Sequence, residues 1–193
     1  MIILARHGQT EWNKLKRLQG WKNSPLTELG LSQARAVAKL ISTLADGENC
    51  DFFASPLGRA LNTAQIINTE LGLTESNIQV EPLLKELSFG IWEGLSHDDI
   101  QVQYSEQWHA REKDKWNYII PNGESYAIAA KRAETWLSNR SEQDLTIAVS
   151  HEVIGKIIRG VYLGLNQKDT LALSQNNNEI VLLENSLQVI KAA

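Results

Sequence analysis

Short apolar runs alternate along this chain with longer segments in which apolar side chains return every third or fourth position. The first pattern is that of a strand buried on both faces, the second that of a helix with one buried face. Residues 2–5, Ile-Ile-Leu-Ala, predict a first strand. Residues 27–44 predict a helix with Leu29, Ala34, Val37, Ala38 and Ile41 on its apolar face. Thr27 suits its N-cap, while Gly30 weakens its first turn. A short strand over 51–54, a helix over 57–71 closed by Gly72, and a short strand over 78–80 follow. Residues 125–137 read as a helix, 145–149 as a buried strand, and 153–162 as a helix ending near Gly164. The tail, 179–183 and 187–190, predicts a hairpin across Glu184, Asn185 and Ser186. Residues 95–122, with Trp108, Trp116 and Tyr118 among charges, are the least regular and read as a short helical insertion or lid. The alternation predicts a three-layer α/β/α fold, its central sheet mostly parallel with one antiparallel edge strand from the tail. The 193 residues make one domain, 1–193, with the insertion at about 95–122.

Composition narrows the partners more than the fold. A net charge of -4 argues against nucleic acid or an anionic membrane as a general partner. Any anion site must therefore be local, built from a few placed arginines. The single cysteine, Cys50, permits no intramolecular disulfide, and a cytoplasmic location is expected. Beside the strand over 51–54, Cys50 reads as a small residue at a strand entrance. Arg6 comes too early for a signal peptide, and no apolar run approaches the length of a membrane span.

The candidate chemistry falls at element boundaries. Arg6-His7-Gly8-Gln9-Thr10 follows the first strand, Ser55-Pro56-Leu57-Gly58-Arg59 the second, and Ser150-His151 the strand over 145–149. Parallel strands place their C-terminal ends on one edge, where open α/β folds bind ligands, so Arg6, His7, Arg59 and His151 are expected to converge. Glu86 lies in a glycine-punctuated turn that continues to Trp92-Glu93-Gly94, and Gly123-Glu124-Ser125 opens a helix. Taken singly, Arg59 reads as a helix-start residue in a surface ion pair, Glu86 as a solvated turn residue, and His151 as a structural histidine. As an ordered set they read as an anion cage around a nucleophile. His97 and His109 fall in the insertion and read as surface residues. His7 and His151 lack a third ligand at helix or strand spacing and have arginines as neighbours, so no metal is expected.

This ordered set resembles the histidine phosphatase superfamily, the phosphoglycerate mutase-like group. The family pattern is matched by Arg6 to Thr10 with Asn13, by Gly20 and Ser24-Pro25-Leu26-Thr27-Glu28-Leu29-Gly30, and by Ser55-Pro56-Leu57 with Arg59-Ala60 and Thr63-Ala64. It is matched again by Glu86 with Phe89-Gly90 and Trp92-Glu93-Gly94, by Gly123-Glu124-Ser125, and by Ser150-His151. The resemblance implies that His7 is the nucleophile and becomes a phosphohistidine, a covalent route that splits one hard step into two. It implies phosphate clamps at Arg6 and Arg59, whose guanidinium forks match phosphate oxygens. His151 and Asn13 would donate to the same oxygens, and Glu86 would protonate the leaving oxygen and then activate water. A carboxyl facing phosphate is expected to have a raised pKa. Gln19, Gly20 and Ser24 belong to a loop that the family uses near the substrate. Trp21 shares that loop, and Trp92 reads as packing.

Two departures qualify the resemblance. Family members usually carry glycine directly after the second histidine, where this chain has Glu152. Its side chain is expected to turn outward at a helix N-terminus, where an acid is stabilised, and to tune substrate choice. Mutases of the group have a longer segment before Gly-Glu-Ser, with paired arginines and a lysine for the substrate carboxylate. The segment here offers only Arg111, Lys113 and Lys115, equally readable as a solvated helix face. The resemblance therefore implies a cofactor-free phosphatase acting on a small phosphorylated metabolite. A bisphosphoglycerate-dependent phosphoglycerate mutase is the alternative, and a catalytically silent phospho-ligand binding module the second. No oligomeric state follows from the pattern.

Overall fold

A computed structural model describes residues 1–45, 50–73, 77–140, 145–184 and 186–191. Six strands form one sheet: β1 (Ile2–Arg6), β2 (Cys50–Ala54), β3 (Ile78–Val80), β4 (Leu145–Ser150), β5 (Glu179–Glu184) and β6 (Ser186–Lys191), in the order β3-β2-β4-β1-β5-β6. The helices are α1 (Glu11–Lys14), α2 (Glu28–Leu44), α3 (Gly58–Glu70), α4 (His97–Gln103), α5 (Ser105–Lys113), α6 (Tyr126–Ser138), α7 (Glu152–Tyr162) and α8 (Gln167–Ala172).

β3, β2, β4 and β1 are parallel neighbours, and β5 runs antiparallel between β1 and β6. The tail supplies the expected antiparallel edge: β6 takes the edge, paired antiparallel with β5, which itself runs antiparallel to β1. The middle of the expected turn, Asn185, lies outside the described residues.

Alternation along each strand sorts the core into two layers. Ile3, Ala5, Phe52, Ala54, Ile147 and Val149 face α2 and α3, which bury Val37, Ala38, Ile41, Ala60, Ala64 and Ile67 against them. Ile2, Leu4, Phe53 and Ala148 face α6 and α7, which bury Ala129, Ala133, Trp136, Ile154, Ile157 and Ile158. This is the three-layer arrangement that the pattern predicted. No helix among the described residues is long and apolar enough to cross a membrane.

One local expectation is corrected and one refined. Leu29 is 51% exposed, because the buried face of α2 runs through Gly30, Ala34, Val37, Ala38 and Ile41 and leaves Leu29 one residue to its side. Residues 95–122 are a helical insertion as expected, but more regular than expected up to residue 113: Ser96 opens α4 through a capping box with Asp99, and α5 follows at once. Polar residues dominate both helices, so their apolar period was weak.

Candidate active site

β1, β2 and β4 are adjacent and parallel, so their C-terminal ends deliver three segments to one rim. The ladders run on just past the strands: His7 N–H donates to Ser150 O at 3.0 Å, and Ser55 N–H to Val149 O at 3.0 Å. Arg6, His7, Asn13, Arg59 and Glu86 share one cleft of about 310 Å³.

His7 is 3% exposed and its partners fix its tautomer. Nδ1 lies 2.7 Å from Gly8 O, and Nε2 lies 3.2 Å from Arg59 Nε. A carbonyl only accepts and a guanidinium only donates, so Nδ1 carries the hydrogen and Nε2 holds a lone pair. Burial, then the charges of Arg59 and Arg6, hold the imidazole well below its ordinary pKa, so it is neutral at pH 7. His151 packs against it with ring centroids 5.1 Å apart. Its Nε2 meets Ser55 Oγ at 2.8 Å, while its buried Nδ1 has no protein partner. Burial and the charge of Arg59 lower its pKa likewise.

Arg59 enters at the start of α3 and is 2% exposed. Its Nη1 and Nη2 donate to Lys22 O and Gly20 O, each at 2.8 Å, which points the fork at the cleft. Burial lowers its pKa to about 10, so it stays cationic at neutral pH. Arg6 Nη1 donates to Gln175 O at 2.7 Å, and its buried Nε has no protein partner. Asn13 Oδ1 accepts from the N–H and the hydroxyl of Thr10 at 3.0 and 3.1 Å, so its amide nitrogen is the group left for the cleft.

Glu86, in the turn before Leu87, is buried against the start of α7. Its Oε1 accepts from Leu87 N–H at 2.9 Å and Ile154 N–H at 3.0 Å, and its Oε2 from Val153 N–H at 3.2 Å. Burial raises its pKa; the three amide bonds and the charge of Arg59 oppose the rise without cancelling it. A nucleophilic lone pair, two guanidinium groups and a carboxyl that can hold a proton together suit phosphoryl transfer, which is chiefly positioning and charge stabilisation.

A family model for the histidine phosphatase superfamily (branch 1) matches residues 2–188. The chain belongs to this superfamily. A Photorhabdus laumondii protein named "Probable phosphoglycerate mutase GpmB" is 34% identical over 168 residues, 85% of this chain and 75% of that protein. A 6-phosphofructo-2-kinase/fructose-2,6-bisphosphatase of Caenorhabditis elegans is 35% identical over 153 residues, 79% of this chain and 32% of that protein. The chain likewise spans 60% of a curated mutase relative and 38% of a curated bisphosphatase relative. A mycobacterial glucosyl-3-phosphoglycerate phosphatase, solved with VO3, superposes with a TM-score of 0.77 at 28% identity, covering 93% of this chain and 88% of that one. The superfamily's relatives thus include both phosphatases and mutases.

Within this member of the superfamily, the expected site residues do not all reach the cleft. Gln19 and Gly20 line it, and Gln19 Oε1 is buried without a partner. Ser24 does not: it is 4% exposed, and its Oγ accepts from Trp12 N–H at 3.0 Å, a packing role. Glu152 does not turn outward. It lines the cleft with Oε2 3.2 Å from Arg6 Nη1, because the first turn of α7 stands over that guanidinium. His97 and His109 are both exposed, as expected of surface residues; His97 also lines the cleft beside Trp108, ring centroids 5.5 Å apart. Arg111 and Lys115 also line it; Lys113 does not. Arg111 is no solvated residue: it is 7% exposed among Trp92, Trp108 and Tyr126.

Other supporting residues escaped the pattern. Arg132, in mid-helix, donates to Leu83 O at 2.8 Å, Lys85 O at 3.0 Å and Glu86 O at 3.4 Å, and it pairs with Glu124 at 2.9 Å. It thereby staples the Glu86 turn. Trp21 donates its indole N–H to Glu86 O at 2.8 Å, and Glu93 accepts from Trp21 N–H at 2.9 Å and Lys22 N–H at 3.2 Å. Gly20 has φ +52, and a Cβ there would collide with the Glu93 carboxyl. Glu93 and Glu124 lie inside family motifs, which was their signal; Arg132 had none. Among the described residues, no group of three His, Cys, Asp or Glu is placed to hold a metal ion.

Proposed function

We propose that this protein hydrolyses the phosphomonoester of a small phosphorylated metabolite, without a metal, through a phosphohistidine on His7. The observation that carries this reading is the neutral His7, whose Nδ1–H is given to Gly8 O while its Nε2 lone pair faces Arg59. Nε2 attacks phosphorus and forms the N–P bond. The ester P–O bond breaks, its electron pair goes to the leaving oxygen, and the Glu86 carboxyl supplies the proton. Arg6, Arg59, Asn13 and the Nδ1 side of His151 hold the three phosphoryl oxygens. Water then attacks phosphorus, Glu86 takes its proton, and the N–P pair returns to Nε2. Water is the acceptor in this reading because the segment over 95–122 lacks paired arginines, and because the mycobacterial neighbour is a phosphatase. Its setting is the cytoplasm, with neither nucleic acid nor membrane as partner.

The mutase reading has its own support: the GpmB relative, and Arg111 with Lys115 in the cleft. Incubation of the purified protein with p-nitrophenyl phosphate and a panel of phosphometabolites in chelator separates the readings. Phosphate release, acid-labile labelling of His7 and loss of both in His7→Ala are expected. Interconversion of 2- and 3-phosphoglycerate only with a bisphosphate primer would replace hydrolase by mutase. No turnover across the panel would leave a phospho-ligand binding module.

A further inference from the structure

Glu152 is an acid lining the cleft that the proposed chemistry does not use and that pairs with Arg6. Its Oε2 lies 3.2 Å from Arg6 Nη1, and its Oε1 lies 3.9 Å from the Nζ of Lys156 one helical turn on. Arg6 cannot swing away to leave it, because the same Nη1 is tied to Gln175 O at 2.7 Å and the side chain is 13% exposed. Nor does Glu152 take the amides at the start of α7, since Glu86 accepts those of Val153 and Ile154. Its stabilisation therefore comes from the two cations, and one of them is a proposed phosphate clamp.

Resting on that reading of Arg6, we infer that Glu152 is an internal counter-anion that competes with phosphate for Arg6 and weakens the site's hold on it. A phosphate dianion at Arg6 stands beside a fixed negative charge, and the two repel strongly in a partly buried site. Substrate ester and product phosphate carry the same dianionic group, so both are weakened alike. Such uniform weakening raises KM and the inhibition constant for phosphate together, without raising the barrier from bound substrate. Product release limits many enzymes, and a looser grip on phosphate speeds that step. Lys156 gives the carboxylate a second place to rest when Arg6 is engaged by phosphate. Glu152 is thus a residue that sets phosphate affinity and release, not a catalytic one.

The test is inorganic phosphate binding by calorimetry, together with p-nitrophenyl phosphate kinetics and phosphate inhibition. The proteins are wild type, Glu152→Gln, Lys156→Met and the double variant. Glu152→Gln is expected to lower KM and the phosphate inhibition constant together, about tenfold for one relieved like-charge contact. Its kcat stays the same or falls. Lys156→Met is expected to weaken phosphate binding in wild type, where the carboxylate then rests on Arg6 alone, and to do nothing in the Glu152→Gln background. Wild type that binds phosphate no more weakly than Glu152→Gln overturns the inference and leaves the site reading intact. Equal weakening by Lys156→Met in both backgrounds overturns it too, since Lys156 would then hold phosphate itself. Failure of wild type and every variant to bind phosphate would sink the reading of Arg6 as well.

Discussion

At the scale of single residues, the site turns on which atoms hold protons. Gly8 O and Arg59 Nε together leave His7 with its hydrogen on Nδ1, a detail invisible in the motif because Gly8 acts through its backbone carbonyl and Arg59 lies 52 positions away. Glu86 is the converse case: its identity was legible, but its environment was not. Expected as a turn residue whose pKa rises against phosphate, it is raised chiefly by burial. As the proposed acid it must be protonated, so kcat/KM for an alkyl phosphate should fall as pH climbs past the ordinary carboxylate range. For p-nitrophenyl phosphate, whose leaving group needs no proton, that limb should be absent. Glu86→Gln should remove the limb and slow alkyl phosphates by about 10²–10⁴, the usual worth of a general acid, with a smaller effect on the nitrophenyl ester. An equal loss on both esters, read from the pH–rate profiles, would remove Glu86 from that role.

At the scale of elements, glycine at the start of α2 is the instructive case. Propensity alone marks Gly30 as a weakness in the first turn. In the fold it is buried against the loop that follows His7: a Cβ at Gly30 would run into Gln9 O, and a Cβ at Gly8 into Gly30 O. Thr27 adds to the same junction, with its N–H donating to Gln9 O at 2.9 Å and its hydroxyl capping Gly30 N–H at 3.0 Å. Gly30→Ala should therefore destabilise the protein by about 1–3 kcal/mol, the usual cost of overpacking, despite alanine's better helix propensity. Urea denaturation of the two proteins checks the sign. The loop over 19–23 has a comparable double duty. Its carbonyls aim Arg59, and its tryptophan holds the backbone of Glu86. A loop that ties the proposed clamp to the proposed proton donor leaves no periodic trace, since the ties are backbone carbonyls.

At the scale of the whole molecule, the cost of the site shows in stability against pH. Folded His7 and His151 bind protons at lower pH than the ordinary imidazole value of 6.5. Below about pH 6.5 the unfolded chain therefore holds more protons, and stability falls with pH by up to about 1.4 kcal/mol per unit for each histidine. Glu86 acts in the opposite sense. Its folded pKa is raised, so its contribution is full below the unfolded value near pH 4.3 and is lost as pH rises through the folded one. In phosphate-free buffer, His7→Asn should lose less stability than wild type between pH 7 and pH 5, by up to about 2 kcal/mol. Denaturant titrations at the two pH values measure it, and an unchanged difference would mean that His7 titrates normally in the folded protein.

The chain's own pattern determined the layers and the cast. Apolar runs in residues 2–5 and 51–54, helical spacing in 27–44 and 153–162, and turn residues at their ends depend on neighbours a few positions away, which a linear pattern records. The same pattern placed Arg6, His7, Arg59 and His151 at strand ends, and β1, β2 and β4 do run side by side. What only the tertiary structure decided rests on contacts between distant positions. The direction of Glu152 toward Arg6, the retreat of Ser24 to Trp12, the staple from Arg132 and the place of β5 inside the sheet are of this kind. Such contacts follow from which surfaces pack together, and packing is a property of the whole folded chain that no local spacing encodes.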